Sequence, residues 1–207
     1  MYEDAHLLVF DKPAGLLSVP GRGADKADCL SARVQSAWSD ALIVHRLDMA
    51  TSGLVLMARG ADMQRHLSRS FAEREVSKRY EAIVSGRVEP ASSPEGWSVI
   101  DLPIAADWPN RPRRIIDRHY GQPSLTRWRV LGGAGGHTRL ELEPVTGRTH
   151  QLRVHLQALG HPILGDALYA PDEVVRLSPR LLLHATRLRL VHPGTGEPIE
   201  FFSPASF

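Results

Sequence analysis

A chain of 207 residues, 43% apolar and 23% charged, is long enough to bury a sizeable core in one domain and is too apolar for global disorder. No apolar run approaches the roughly 18 residues that span a bilayer. The start, Met1-Tyr2-Glu3-Asp4, lacks the basic and apolar regions of a secretion signal, and the single cysteine, Cys29, excludes an intrachain disulfide framework, so a cytoplasmic protein with no membrane partner is expected.

Taken in order, Leu7 to Phe10 is a short apolar run stopped by Lys12-Pro13. A helix is expected from about Asp28 to Trp38, with Leu30, Val34 and Ala37 on one face. Leu42–Leu47 and Leu54–Ala58 read as buried strands on either side of a polar turn. Asp62–Glu75 reads as a charged helix with Met63, Leu67 and Phe71 at four-residue spacing. Tyr80, Ala82 and Val84 alternate with Glu81, Ile83 and Ser85 as in a strand. The stretch 91–96 (ASSPEG) reads as a loop. Leu125–Leu131 and Thr138–Glu143 alternate too, and GGAGG (132–136) joins them as a hairpin. Thr149–Leu159 reads as a helix capped by Thr149 and ended by Gly160, with Leu152, Leu156 and Leu159 buried. Leu181–Leu190 and Ile199–Phe202 close the chain as strands. Many strands and few helices, without strict alternation, predict an α+β fold with a mixed, mainly antiparallel sheet.

Three segments hold the candidate chemistry. His45-Arg46-Leu47-Asp48-Met49-Ala50-Thr51-Ser52-Gly53 places an acid beside potential cations on a turn at a sheet end. Its Asp, Thr, Ser and Gly would equally make an ordinary turn. That reading leaves Arg46, two residues before Asp48 and between apolar stretches, without a reason. Thr146-Gly147-Arg148-Thr149-His150-Gln151-Leu152-Arg153-Val154-His155 places Arg148 at a helix start, where free N–H groups favour anions. As a plain amphipathic helix the segment accounts for its leucines but not for Arg148. His150 and His155 do not share a helix face, and no HExxH or Cys pair supports zinc, so no metal is expected. Asn110-Arg111-Pro112-Arg113-Arg114, preceded by Trp108-Pro109, is either a solvated loop or a stacking and phosphate-pairing site for a single strand, through Arg111, Arg113 and Arg114. The cations are 22 Arg against 3 Lys, at a net charge of +2. Arg suits bidentate phosphate pairing, but a GC-rich genome gives the same bias, so the bias decides nothing. No dinucleotide fingerprint, phosphate loop or GxSxG elbow is present.

HRLDMATSG resembles the signature of the RluA family of pseudouridine synthases. Lys78-Arg79-Tyr80, TGRTHQLRVH and Arg180-Leu181-Leu182-Leu183-His184-Ala185 match further family blocks in the right order, and LLVFDKPAGLLSVPG and GHPILGDALYA are similar to family segments. The resemblance implies a single-domain catalytic fold over residues 1–207, with helices on the flanks of the sheet and an RNA-binding cleft. It implies isomerisation of a uridine without cofactor or metal, after the base leaves its stack. By the same resemblance Asp48 is the catalytic residue, Arg148 pairs with it, Tyr80 is the active-site tyrosine, the aliphatic Leu182 lines the pocket and Arg46 takes the space of the flipped base. The DWPNRP loop and the short N-terminus are similar to a member that modifies both a tRNA anticodon loop and large-subunit ribosomal RNA. The additional N-terminal RNA-binding module of several relatives is not expected, and a monomer is. Whether the aspartate adds to the sugar, adds to the base or removes a sugar proton stays open. So do two other readings, a catalytically silent RNA-binding protein and a hydrolase of free nucleosides.

Overall fold

The computed structural model describes residues 2–21, 23, 26–90, 93 and 95–207, so half of the loop expected over 91–96 falls outside it. The elements, in chain order, are β1 (Tyr2–Glu3), β2 (Leu7–Lys12), α1 (Leu30–Gln35), β3 (Ala41–Ile43), β4 (Ser52–Arg59), α2 (Gly60–Ala72) and β5 (Ser77–Ser85). They continue with β6 (Ser98–Asp101), β7 (Ile104–Ala106), β8 (Arg114–Ile116), β9 (Leu125–Ala134), β10 (His137–Pro144), α3 (Gln151–Ala158), α4 (Asp172–Val175), β11 (Leu183–Val191) and β12 (Pro198–Phe202). The α+β class with antiparallel pairing is as expected. The residues form two compact units. The first holds Met1–Lys78 and Ala185–Ser206, the second Arg79–His184 and Phe207. The chain passes between them inside β5 and β11.

In the first unit the strands neighbour one another in the order β1-β2-β4-β11, with β3 on β4 and β12 on β11. Seven successive residues of β4, Ser52–Ala58, are buried, which is why the run is apolar without alternation. Leu7, Val9, Leu54, Leu56, Leu188 and Leu190 form the core, and α2 lays Leu67 into it with Met63 and Phe71 beside it. The four-residue spacing read from the sequence is thus the packed face, although the helix starts at Gly60 and ends at Ala72. The strand expected over Leu42–Leu47 stops at Ile43. Beyond it, His45 leaves the ladder and its Nε2 accepts the N–H of Leu56 at 2.9 Å, replacing a strand partner with a side chain.

In the second unit the order is β5-β10-β9-β6, and β7 pairs β8 in a separate hairpin. Along β10 every second residue is buried, as the alternation predicted. The outward residues pair by charge: Arg127 with Glu143 at 3.1 Å and Arg129 with Glu141 at 2.6 Å are cross-strand partners, while Arg139 meets Glu81 of β5 at 2.6 Å. Ala134 pairs with His137, so the hairpin turn is Gly135-Gly136 and not the whole of GGAGG. Both glycines have positive φ, 59° and 80°, as a two-residue primed turn requires. α3 begins at Gln151. Its N-cap is His150, in the left-handed region at φ 57°, and not Thr149. Leu152 and Leu156 are buried, but Leu159, expected inside, is 38% exposed at the helix end. The short strands β6, β7 and β8 and helix α4 were not legible in the sequence, being three or four residues each. No helix among the described residues is long and apolar enough to cross a membrane.

His45 stacks on Phe71 at 4.5 Å and 21°, and burial, helped by the Lys78 charge, pushes its pKa down to about 3. The unfolded chain, with an ordinary histidine near 6.5, therefore binds the extra proton between about pH 6.5 and 3, and stability falls as pH drops through that window. The expected slope from this group approaches about 1.4 kcal/mol per pH unit. Urea melts at pH 7.5 and 5.0 should show wild type losing stability and His45→Gln losing less. Equal losses would mean that His45 is not held neutral.

Candidate functional site

Residues 44–51 join β3 to β4 as a loop braced from β2. Ser18 clamps Leu47 from both sides. Its Oγ donates to Leu47 O at 2.8 Å and accepts Leu47 N–H at 3.1 Å. Leu47 is buried, while its neighbours are less so, Arg46 exposed and Asp48 half-buried. Thr51 N–H closes a turn on Asp48 O at 3.1 Å, and Gly15 N–H holds Met49 O at 2.8 Å. Beneath the turn lies Lys12, with no exposed surface. Its ammonium donates to Pro13 O, Leu16 O and Met49 O at 2.9, 2.8 and 3.2 Å. Burial brings its pKa down to about 8 and the nearby Asp48 charge opposes that fall, so the group stays mostly protonated at neutral pH. Gly53, at φ 111°, lets β4 lie against β11, where a Cβ would stand 2.4 Å from Ala185 O. The first unit thus presents an acid and an arginine two residues apart on a fixed turn.

In the second unit the turn carrying Arg148 is built on Gln151, which is buried. Gln151 Oε1 accepts the Thr146 hydroxyl at 2.7 Å and Arg148 N–H at 3.0 Å, while its Nε2 donates to Leu125 O at 2.9 Å and Thr126 Oγ1 at 3.0 Å. With the amide satisfied on both ends, residues 146–151 have one arrangement. The Arg148 side chain is exposed, its Nε 3.4 Å from Pro123 O, so it is a surface guanidinium of this unit ahead of the helix. Tyr80 is half-buried on β5, opposite Leu142. Leu182, also half-buried, is fixed by backbone bonds to Ile83 and Leu164.

Arg111 and Arg113 are exposed at the tip between β7 and β8, and Arg114 is half-buried on β8. The Arg111 guanidinium lies over the Trp108 ring at 3.5 Å. Asp107 accepts the Asn110 side chain at 3.0 and 3.1 Å and so closes the loop on itself. Tyr169 ties this loop to the Arg148 turn. Its hydroxyl accepts Arg114 N–H at 2.8 Å and meets His150 Nδ1 at 2.6 Å. Below it Arg153 and Asp166 make a buried bidentate pair at 2.6 and 2.8 Å, with the Arg153 guanidinium 5.0 Å from the Tyr169 ring.

Both histidines of the TGRTHQLRVH block have structural work: His150 meets Tyr169, and His155 bridges Thr126 Oγ1 and Leu102 O. A different group, Asp4, His6 and His192, gathers possible ligand atoms within 4.8 Å. His192 Nδ1 accepts two backbone N–H groups, from Gly194 and Thr195, so it carries no proton, and Nε2–H is the donor to Asp4 at 2.6 Å. A metal on Nε2 would displace that proton and leave an imidazolate, which makes the cluster a clasp and not a metal centre. Sequence reasoning missed Lys12, Gln151 and Tyr169. The signal for the first was present: a lysine ending an apolar strand.

The family model described as RNA pseudouridylate synthase matches residues 6–158. The dual-specificity RNA pseudouridine synthase RluA of Escherichia coli strain K12 is 48% identical over 100% of this chain and 93% of its own length. The protein of the same name from Pasteurella multocida is 46% identical over the same shares. Among solved structures, human RNA pseudouridylate synthase domain containing 1 superposes with a TM-score of 0.79 at 29% identity, covering 98% of this chain and 81% of that one. With the family model running through segments of both units and named relatives matched along the entire chain, this protein belongs to the RNA pseudouridylate synthase family.

Proposed function

We propose that residues 1–207 act as one pseudouridine synthase catalytic domain that isomerises a specific uridine in a stem-loop of RNA, in a tRNA anticodon loop, in large-subunit ribosomal RNA, or in both. The observation that carries the reading is the Asp48 turn: a half-buried acid on a turn clamped by Ser18 and Leu47, near a buried lysine, inside HRLDMATSG. The relatives named as dual-specificity enzymes support a reading with more than one RNA substrate. We read the protein as a cytoplasmic monomer.

In the reaction the bond from the base nitrogen to the sugar breaks, a carbon–carbon bond from the sugar to a base ring carbon replaces it, the proton on that ring carbon leaves to solvent, and the freed base nitrogen takes up a proton. A carboxylate can open this sequence as a nucleophile or as a base. Asp48 takes that role, with Tyr80 and Arg148 as the other catalytic side chains and Leu182 lining the uridine site, each by resemblance to the family blocks. Arg46, exposed two residues before Asp48, takes the space of the flipped base. Arg111, Arg113 and Arg114 hold the phosphates of the hairpin. Unpaired loop bases are what a protein of this kind reads, because the A-form major groove is too narrow to probe. No step calls on a metal or cofactor.

Asp48→Asn keeps the shape of the side chain but neither attacks nor takes a proton. Release of tritium from the reacting ring carbon should fall below a few per cent of wild type, while RNA affinity is kept. Substantial product formation by this variant would remove Asp48 from the chemistry. Substrate choice is tested with an isolated anticodon stem-loop, full-length tRNA and intact large ribosomal subunits. Turnover is expected on the stem-loop, with an affinity that weakens steeply with salt and less steeply once Arg111, Arg113 and Arg114 are alanine. Activity on assembled subunits alone would overturn the small stem-loop as substrate.

A further inference from the structure

The second unit contains a cavity of about 650 Å³ beside the Arg148 turn. Its lining includes Trp108, Arg114, Asp117, Tyr120, Gln122 and Arg148. Two features set it apart from an ordinary surface hollow. Trp108 is 69% and Tyr120 88% exposed, although each ring would favour burial by a few kcal/mol. Two large exposed aromatics at the lining of one cavity are suited to stack on a flat group. One face of Trp108 is already covered by Arg111, which leaves the other for a flat partner.

The polar groups narrow the guest. Asp117 accepts the N–H groups of His119 at 2.9 Å and Tyr120 at 3.0 Å, and these bonds hold its carboxyl below the usual carboxylate range. At neutral pH the group is ionised and only accepts. A uracil edge presents two carbonyls around one N–H, and a carboxylate repels them. Adenine, cytosine and guanine each present an amino group that donates to it. Arg114 adds a guanidinium group at the same lining, suited to a phosphate. The Nε of Arg114 is buried and has no hydrogen-bond acceptor among the described residues. The volume suits a nucleobase with its ribose.

We infer that this cavity is a second nucleobase pocket, which takes an unpaired, amino-bearing base from the same RNA loop as the target uridine, stacked against Trp108 and Tyr120 and read by Asp117. The inference rests on the RNA-modifying reading above and adds a specificity site to it. An enzyme with such a pocket recognises its loop by two bases turned out together, the one it changes and the one it only reads.

The test uses the full chain and a synthetic anticodon stem-loop in which each loop nucleotide, the target excepted, is made abasic in turn. Affinity is measured by fluorescence anisotropy and turnover by tritium release, so binding is read even without reaction. One abasic position is expected to weaken binding by wild type about 5- to 150-fold, the range for loss of one stacked base. The same RNA should lose little further affinity for the Trp108→Ala/Tyr120→Ala double variant, because that interaction is already gone. Uridine at the sensitive position should be rejected by wild type and better accepted by Asp117→Asn. If every abasic loop weakens wild type and the double variant by the same factor, there is no second-base pocket, even with turnover intact. If the coupling is found but no tritium is released by wild type, the pocket stands and the synthase reading fails.

Discussion

An ammonium group with no exposed surface is costly to keep, and the first unit keeps one. Lys12 retains its proton because three carbonyl oxygens, two from the chain just after β2 and one from Met49, replace the water it has lost. Removing it would take that donor from Pro13 O and Leu16 O and leave Met49 O with only the Gly15 N–H. The turn that follows Leu47 would also lose its floor. The position of Asp48 is therefore set less by its own segment than by a residue 36 positions earlier, through contacts that strand pairing between β2 and β4 brings into range. Ser18 and Gly15 reinforce the same bracing from the same stretch of chain.

The second unit solves the corresponding problem with neutral and ionic groups in sequence. Gln151 fixes the turn before α3 by spending both ends of its amide there. Two residues on, Arg153 enters a buried bidentate pair with Asp166, and Asp166 also accepts the N–H groups of Leu168 and Tyr169. Such a pair contributes little net stability over a packed apolar isostere, but it tolerates few alternative arrangements. Its geometric demand is what stands Tyr169 in place. On both units the candidate residues are exposed or half-buried, and their fixity comes from buried polar neighbours.

Much of this was legible in the residues. The apolar run of β4, the alternation of β10 and the spacing of Met63, Leu67 and Phe71 each reflect a burial pattern with a simple period. The places where reading failed share a cause. The strand expected to continue through Leu47 stops at Ile43 because His45 takes a β4 backbone N–H for its ring, a local rule overridden by a side chain. Thr149 has the right chemistry to cap α3, yet the cap falls to His150 because Gln151 already binds the turn. β7 and β8 are too short to carry a period. Asp48, Arg46 and Arg148 stood out as charged residues on turns, but their roles, and Tyr80 altogether, came from blocks that resembled a family. Their support, in Lys12, Gln151 and Tyr169, comes from contacts distant in sequence, which periodicity does not report.

The Tyr169 hydroxyl is one oxygen bonded to two segments, the strand that ends the arginine loop and the residue that opens α3. A force applied at either segment is felt at the other. Whatever free energy is gained by shifting the loop alters the preferred pose of the Arg148 turn, and the reverse effect has the same size. The loop and the turn are then not separate inheritances in this protein. A lineage that lengthens or reshapes the loop has to retune the turn in the same step, or give up the phenol that joins them.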